Sequence, residues 1–416
     1  MQYILKAPGL INTTIALPAS KSISNRALMI QALAGGSIFP TNLSDCDDTR
    51  VIIDALRDMP EVIDIKAAGT ARRFMTAYLA VTEGRHVLTG TERMKHRPIG
   101  VLVDALRQLG AHIDYVGEEG FPPLRIEGRP LEGGYVEVPG DISSQFISAL
   151  LMIGPVLKNG LELKMRDGII SRSYIDMTRF IMMSYGAEVD WTDIDTIRVE
   201  PKPYEERAFL IENDWSASSY WYEMLLLNNQ PDSEIRLTGL ADSSRQGDSS
   251  VRYIFSLLGI KTTFDEADEF TPTTITLKCN RRPLPKLEYN FVNSPDLAQT
   301  FVVGCALRGI PFRFTGLATL KIKETDRIEA MKREMRKLGY VIRSNDGNEL
   351  EWDGQRCLAD PEPVIDTYED HRMAMAFAPA ALCLPHLRIN DPQVVSKSYP
   401  RFWEHLRQAG FQIEEG

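Results

Sequence analysis

The chain has 416 residues, 44% hydrophobic and 25% charged, with a formal net charge of −10, which supports about two or three packed cores and excludes a disordered chain. The acidic balance argues against a nucleic-acid or anionic-membrane partner, and MQYILKAPGL lacks the pattern of a leader while no run of eighteen apolar residues occurs, so a cytoplasmic protein is expected. Cys46, Cys279, Cys305, Cys357 and Cys383 are odd in number, far apart and never spaced C-x-x-C, which supports neither a zinc site nor a disulfide framework.

Taken in chain order, the first strong element is SKSISNRALMIQALAGG from Ser20, followed by TRVIIDALRDMPEVIDI with a stop at Met59-Pro60. Next come GTARRFMTAYLAV from Gly69, a strand-like HVLTG at His86 to Gly90, and VLVDALRQLGAHIDYV, a helix closed by Gly110 that runs into a strand. An alternating segment at Tyr135 to Val138 precedes SSQFISALLMIGPVL from Ser143 and IDMTRFIMMSYGAEVDW with its stop at Gly186. A junction is expected near Ile211 to Asp214. Beyond it the same alternation continues: SASSYWYEMLLL from Ser216, SVRYIFSLLGIKTTF at Gly259, the strand TTITLKC at Thr273 to Cys279, and DLAQTFVVGCALRG from Asp296. The last elements are RIEAMKREMRKLGYVIRS at Gly339, DHRMAMAFAPAALCL from Asp370 and YPRFWEHLRQAGFQIEE at Gly410.

Two helix families therefore interleave. The glycine-stopped helices recur at intervals of 76, 73, 80 and 71 residues from Gly110 to Gly410, the size of one α/β unit and too long for a solenoid repeat. Members of the other family are apolar nearly all round, as buried helices are. Each opens with small or polar residues: Lys21 and Ser22, Thr70, Ser143 to Gln145, Asp296, and His371 with Arg372. At Ser216 such a start reads as an N-cap. Buried helices aimed one way would focus their positive ends on an anion. The chain reads as six βαβαββ units, class α/β.

The run LKIKETDRIEAMKREMRKL joins charge to a marked helix. Ile328, Met331, Met335 and Leu338 form one face closed by Gly339, and Thr325 is the expected N-cap. Lys323 and Glu324 then precede the first turn and Arg327 lies inside it, a setting for a phosphate or carboxylate. Read alone, the run is equally a solvated helix end with Glu324 and Arg327 paired at i, i+3.

LPASKSISNRAL, AGTARRF, TGTERMKHRPIGVLVDAL, SSQFISALLM, SRSYIDMT, NSPDLAQT, KIKETDRI, DHRMAM and KSYPRF occur in this order through the whole chain, and together they resemble the 5-enolpyruvylshikimate-3-phosphate synthase family of enolpyruvyl transferases. The resemblance implies a two-domain inside-out α/β barrel, each domain of three βαβαββ units around buried helices, with the active site in the interdomain cleft. Residues 1–18 plus 213–416 would form one domain and 19–212 the other. The implied reaction moves the enolpyruvyl group of phosphoenolpyruvate to the 5-hydroxyl of shikimate 3-phosphate and releases phosphate, a step toward chorismate and the aromatic amino acids. No metal or organic cofactor is implied, and a monomer is expected.

By motif match the resemblance implies Asp296 as the base at the hydroxyl, Glu324 as proton donor and acceptor at the methylene carbon, and Lys21 in contact with both substrates. Ser22, Arg26, Ser143, Ser144, Gln145, Ser171, Tyr174 and Lys323 would join Lys21 and Asp296 at shikimate 3-phosphate. Gly69, Arg97, Gln145, Arg327, Arg372 and Lys397, again with Lys21, would hold phosphoenolpyruvate. Arginine suits such oxyanions because its planar fork meets two oxygens at once. His371 is read either as a proton-transfer group or as a structural partner of Arg372.

Three departures stand out. Ala67 and Thr319 occupy positions where asparagine is usual, and the spacing from Ser20 to Gly69 is 49 residues against 74, 73, 80 and 74 for the later buried helices. The shortfall is about one hairpin, and it is assigned to the second unit, which should then carry fewer strands than the third. Two other readings compete. UDP-N-acetylglucosamine enolpyruvyl transferases usually carry a loop cysteine near TGTERMKHRP, which is absent, and a noncatalytic phosphosugar-binding member should have lost one of Lys21, Asp296, Glu324 or Arg372, which are all present. No G-x-x-x-x-G-K-[ST] loop suggests a kinase.

Overall fold

The computed structural model describes residues 1–280 and 283–416, and the chain divides into two units, one of Met1–Pro18 with Glu212–Gly416 and one of Ala19–Ile211. In the second of these, two complete βαβαββ modules follow each other. The first runs Val62–Asp64, helix Gly69–Val81, Gly84–Thr89, helix Gly100–Gln108, His112–Tyr115 and Leu124–Gly128. The other runs Gly134–Pro139, helix Ser144–Ile153, Leu161–Arg166, helix Arg172–Ser184, Val189–Trp191 and Thr196–Val199. Each makes a four-stranded sheet whose first two strands are parallel and whose closing strands are antiparallel. A parallel pair needs a crossover, and the nearly all-buried helices Gly69–Val81 and Ser144–Ile153 supply it.

This corrects the placement of the shortfall. The module opened by Val62 has four strands, as many as the one after it, so the second unit is whole. The deficit belongs to the first unit, helices Lys21–Leu33 and Asp47–Asp58, whose strand pairing is reduced to one parallel bridge between Thr41 and Leu210. The interval between two buried helices contains the closing hairpin of one unit and the opening strand of the next. Here the opening strand, Val62–Asp64, survives and the hairpin before it is gone. Both first-unit helices persist because they pack on the Gly69 helix; removing either would open the core around Ile52 and Met75.

The other unit holds three modules. Its buried helices are Trp215–Asn228, Ala298–Leu307 and His371–Phe377, which contact one another directly or through the turn Ala378–Leu382. The N-terminal segment contributes to two of its sheets. Asn12–Ala16 lies parallel to Glu234–Leu240, and Gln2–Lys6 lies antiparallel between Leu387–Asn390 and Gln412–Glu415. The middle sheet has three strands.

Candidate active site

In the unit formed by residues 19–211, the starts of three buried helices carry Lys21, Ser22, Gly69, Ser143, Ser144 and Gln145. Ser20 caps the first helix by accepting from Ile23 N, which leaves Lys21 at its first position with Nζ 3.4 Å from Asp48 Oδ2. Ser22 is half-buried beside it. Arg26 lies deeper, 1% exposed, donating to Thr178 Oγ1 at 2.6 Å, Ser148 Oγ at 3.0 Å and the Ser22 carbonyl at 2.9 Å, under the rings of Phe74 and Tyr174. Burial lowers its pKa to about 10. Its contacts in this structure are those of a brace between helices. Ser171 stands in the left-handed region at φ 54°, at the start of the helix carrying Tyr174, a strained geometry of the kind found at binding sites.

Gly69 opens the second buried helix, and the N-cap residue Ala68 offers no side-chain acceptor to its first N–H groups. A Cβ at Gly69 would sit 3.1 Å from Arg97 Nη1, so a side chain there would crowd that guanidinium and require it to shift. The half-buried Arg97 guanidinium makes no hydrogen bond or ion pair with any described residue. Gln145, in the first turn of the helix capped by Ser143, accepts from Arg73 Nη1 and donates to Thr70 Oγ1 at 3.2 Å, with Ser144 buried next to it. Arg73 thus reaches the same spot. The doublet in GTARRF signalled it, since a buried helix rarely admits arginine without a polar task.

In the other unit, a continuous ion network is built on four segments. Arg327, 1% exposed, donates Nη1 to Asp296 Oδ1 at 2.7 Å, Nη2 to Glu324 Oε2 at 2.9 Å, and Nε to Asp370 Oδ2 at 2.6 Å. Arg372 reaches Asp296 Oδ2 and the Tyr220 hydroxyl, both at 3.3 Å, while Lys323 lies 3.5 Å from Asp296 and Lys397 3.0 Å from Glu324. Burial pushes the Asp296 carboxyl up, but Arg372, Lys323 and Arg327 outweigh it and hold the group well below the usual carboxylate range. For Arg327, burial pulls down and the carboxylates of Asp370, Glu324 and Asp296 push it above its ordinary value. Lys323 is lowered, burial outweighing Asp296.

The helix following this charge run begins at Arg327, and its N-cap is Asp326, whose carboxylate accepts from Glu329 N at 3.1 Å. Thr325 is not the cap. A carboxylate one residue later, with Glu329 three positions on, makes the better capping geometry, and it puts the Arg327 guanidinium at the first helical position. Asp370 is the member that sequence reading missed: fully buried, it binds Arg327 and caps the His371–Phe377 helix through Arg372 N at 2.9 Å. An aspartate before a helix reads as a cap, and here it is also the counter-ion. His371, 2% exposed, has Nδ1 3.7 Å from Asp370 Oδ1. Asp248, buried and accepting from Ser216 Oγ, is pushed up to about 7, chiefly by burial, against the pull of Arg372. The Thr319 hydroxyl is buried with no partner among the described residues, so it offers a polar group where asparagine is usual.

Fold and residue sets define the class: a two-domain α/β protein built of βαβαββ modules, with sets of cations at the starts of buried helices. The family model described as EPSP synthase (3-phosphoshikimate 1-carboxyvinyltransferase) matches residues 5–63 and 58–406, and the chain belongs to this family. A Bacteroides fragilis protein named 3-phosphoshikimate 1-carboxyvinyltransferase is 58% identical over 100% of both chains. One of the same name from Shewanella halifaxensis is 33% identical, covering 95% of this chain and 96% of its own. In fold the chain is similar to EPSP synthase from Acinetobacter baumannii, TM-score 0.79 at 20% identity with full coverage of both, and to the enolpyruvyl transferase NikO from Streptomyces tendae, TM-score 0.71 at 15% identity, covering 99% and 98%. No helix among the described residues is long and apolar enough to cross a membrane.

Proposed function

We infer that the chain is a 3-phosphoshikimate 1-carboxyvinyltransferase, moving the enolpyruvyl group of phosphoenolpyruvate to the 5-hydroxyl of shikimate 3-phosphate with release of phosphate. The observation that carries the site assignment is the network in which Arg327 binds Asp296, Glu324 and Asp370 together. Two of these carboxylates have an acid or base task, and the third fixes the cation between them. Asp296 takes the hydroxyl proton as the oxygen attacks the central carbon of phosphoenolpyruvate, and Glu324 protonates the methylene carbon, then removes a proton from the resulting methyl group as phosphate leaves. In the free protein Asp296 is a weak base because three cations hold it. Anionic substrates that share Arg327, Arg372 and Lys323 weaken that hold and raise its basicity, so base strength is coupled to occupancy.

Lys21, Ser22, Arg26, Ser143, Ser144, Gln145, Ser171, Tyr174 and Lys323 take shikimate 3-phosphate in this reading; Lys21, Gly69, Arg97, Gln145, Arg327, Arg372 and Lys397 take phosphoenolpyruvate. All belong to one chain, so a monomer of 46.8 kDa suffices, and small soluble substrates fit a cytoplasmic location. Light scattering on the purified protein checks the monomer. Phosphate release should require both phosphoenolpyruvate and shikimate 3-phosphate. Release with UDP-N-acetylglucosamine in place of shikimate 3-phosphate would overturn the acceptor assignment.

Gly69→Ala tests the donor side. Its methyl would meet Arg97 Nη1, the end of a flexible side chain, so the fold should hold while the guanidinium is displaced. An increase of about tenfold in KM for phosphoenolpyruvate is expected, with KM for shikimate 3-phosphate little changed. Equal effects on both substrates would count against Arg97 as a phosphoenolpyruvate ligand.

A further inference from the structure

Arg72 is 1% exposed on the inward side of the Gly69–Val81 helix, where the pattern of neighbours such as Ala71, Phe74 and Met75 calls for an apolar residue. Its guanidinium clamps one short segment: Nη1 donates to the carbonyls of Met94 at 3.5 Å and Arg97, and Nη2 to that of Pro98 at 3.3 Å. Its Nε is buried without a hydrogen-bond partner among the described residues. Burial lowers its pKa well below the ordinary value, and the charges that act on it, Arg73 and Arg97, share its sign. A buried guanidinium with like-signed neighbours weakens the fold unless something is gained elsewhere. What it holds is the backbone that carries Arg97, whose own guanidinium stands against Gly69 with no hydrogen-bond or ion-pair partner among the described residues.

We infer that Arg72 is a positioning residue: by tying the carbonyls of residues 94, 97 and 98 to the Gly69 helix, it keeps the Arg97 guanidinium over that helix's first turn as the cation for the donor's anionic group. The inference rests on the reading of Arg97 as a phosphoenolpyruvate ligand. Arg72 itself touches no substrate. Three hydrogen bonds from one rigid planar group fix the segment in position and orientation, which a lysine with its single flexible ammonium would not do. The design accepts charge repulsion to make the site ready for an anion before one arrives, so that little ordering remains when it binds.

A double-mutant cycle on the full chain tests this, with inorganic phosphate as the probe in calorimetric titration and with steady-state kinetics beside it. Arg97→Ala should weaken phosphate by about tenfold or more, and Arg72→Met by about five- to tenfold, and the double variant should be no weaker than Arg97→Ala alone. KM for phosphoenolpyruvate should rise in Arg72→Met while KM for shikimate 3-phosphate and kcat stay within about twofold. If Arg72→Met does not fold, Arg72→Lys, which keeps the charge without the fork, is read in the same way. Additive losses in the double variant, or unchanged phosphate affinity in Arg72→Met, overturn the positioning role and leave Arg97 in place. No effect of Arg97→Ala overturns both.

Discussion

Asp296→Asn is expected to lower kcat by a factor on the order of a hundred or more while leaving KM for shikimate 3-phosphate within a few-fold of the parent. The amide keeps the shape and can still accept from Arg327 Nη1, now 2.7 Å from Asp296 Oδ1, but it takes no proton from the acceptor hydroxyl. Removing one negative charge also frees Arg372 and Lys323 from their carboxylate, so inorganic phosphate should bind the variant at least as tightly as the parent. Tighter phosphate with a collapsed kcat separates loss of a base from loss of a site. An unchanged kcat would end the assignment of Asp296 as base.

The second large effect is on stability. Glu223 lies fully buried in the Trp215–Asn228 helix, neither carboxyl oxygen has a hydrogen-bond partner among the described residues, and its stem packs 3.4 Å from where a Cβ on Gly304 would stand. Burial raises its pKa well above the ordinary value. The folded chain therefore keeps a proton that the unfolded chain releases from about pH 4.5 upward, so stability falls as pH rises through that window. Glu223→Met, similar in volume and free of polar atoms, should be more stable by about 2 to 4 kcal/mol at pH 8. The gain should shrink toward pH 4. Urea unfolding of this unit's transition at the two pH values measures it; a destabilised variant, or a difference independent of pH, would show that the carboxyl is satisfied.

Much of this was legible in the sequence because helices write their pattern locally. The glycine stops at Gly110, Gly186, Gly259, Gly339 and Gly410 all fall at helix ends with φ between 85° and 102°, and the polar starts at Lys21, Gly69, Ser143, Asp296 and His371 all open or precede helices. Sheet membership was less legible, since it depends on pairing partners far along the chain; counting residues between helices could not say which side of Val62–Asp64 had lost its hairpin. The site was incomplete for a related reason. Asp370 appears in the sequence only as the residue that opens DHRMAM, and Arg72 only as one arginine of GTARRF, because a residue that serves two partners looks ordinary from either one alone. Asp248 and Tyr220 carried no motif at all, and only packing brings them near Arg372.

The two strands formed by the first sixteen residues have a consequence for how the chain is made. Gln2–Lys6 leaves the ribosome nearly four hundred residues before its neighbours Leu387–Asn390 and Gln412–Glu415. Residues 19–211 contain all the partners that their own sheets require, so this unit can fold during synthesis while the N-terminal strands wait unpaired. A strand left unpaired that long invites pairing with another chain, so a segment made early must enter its sheet late.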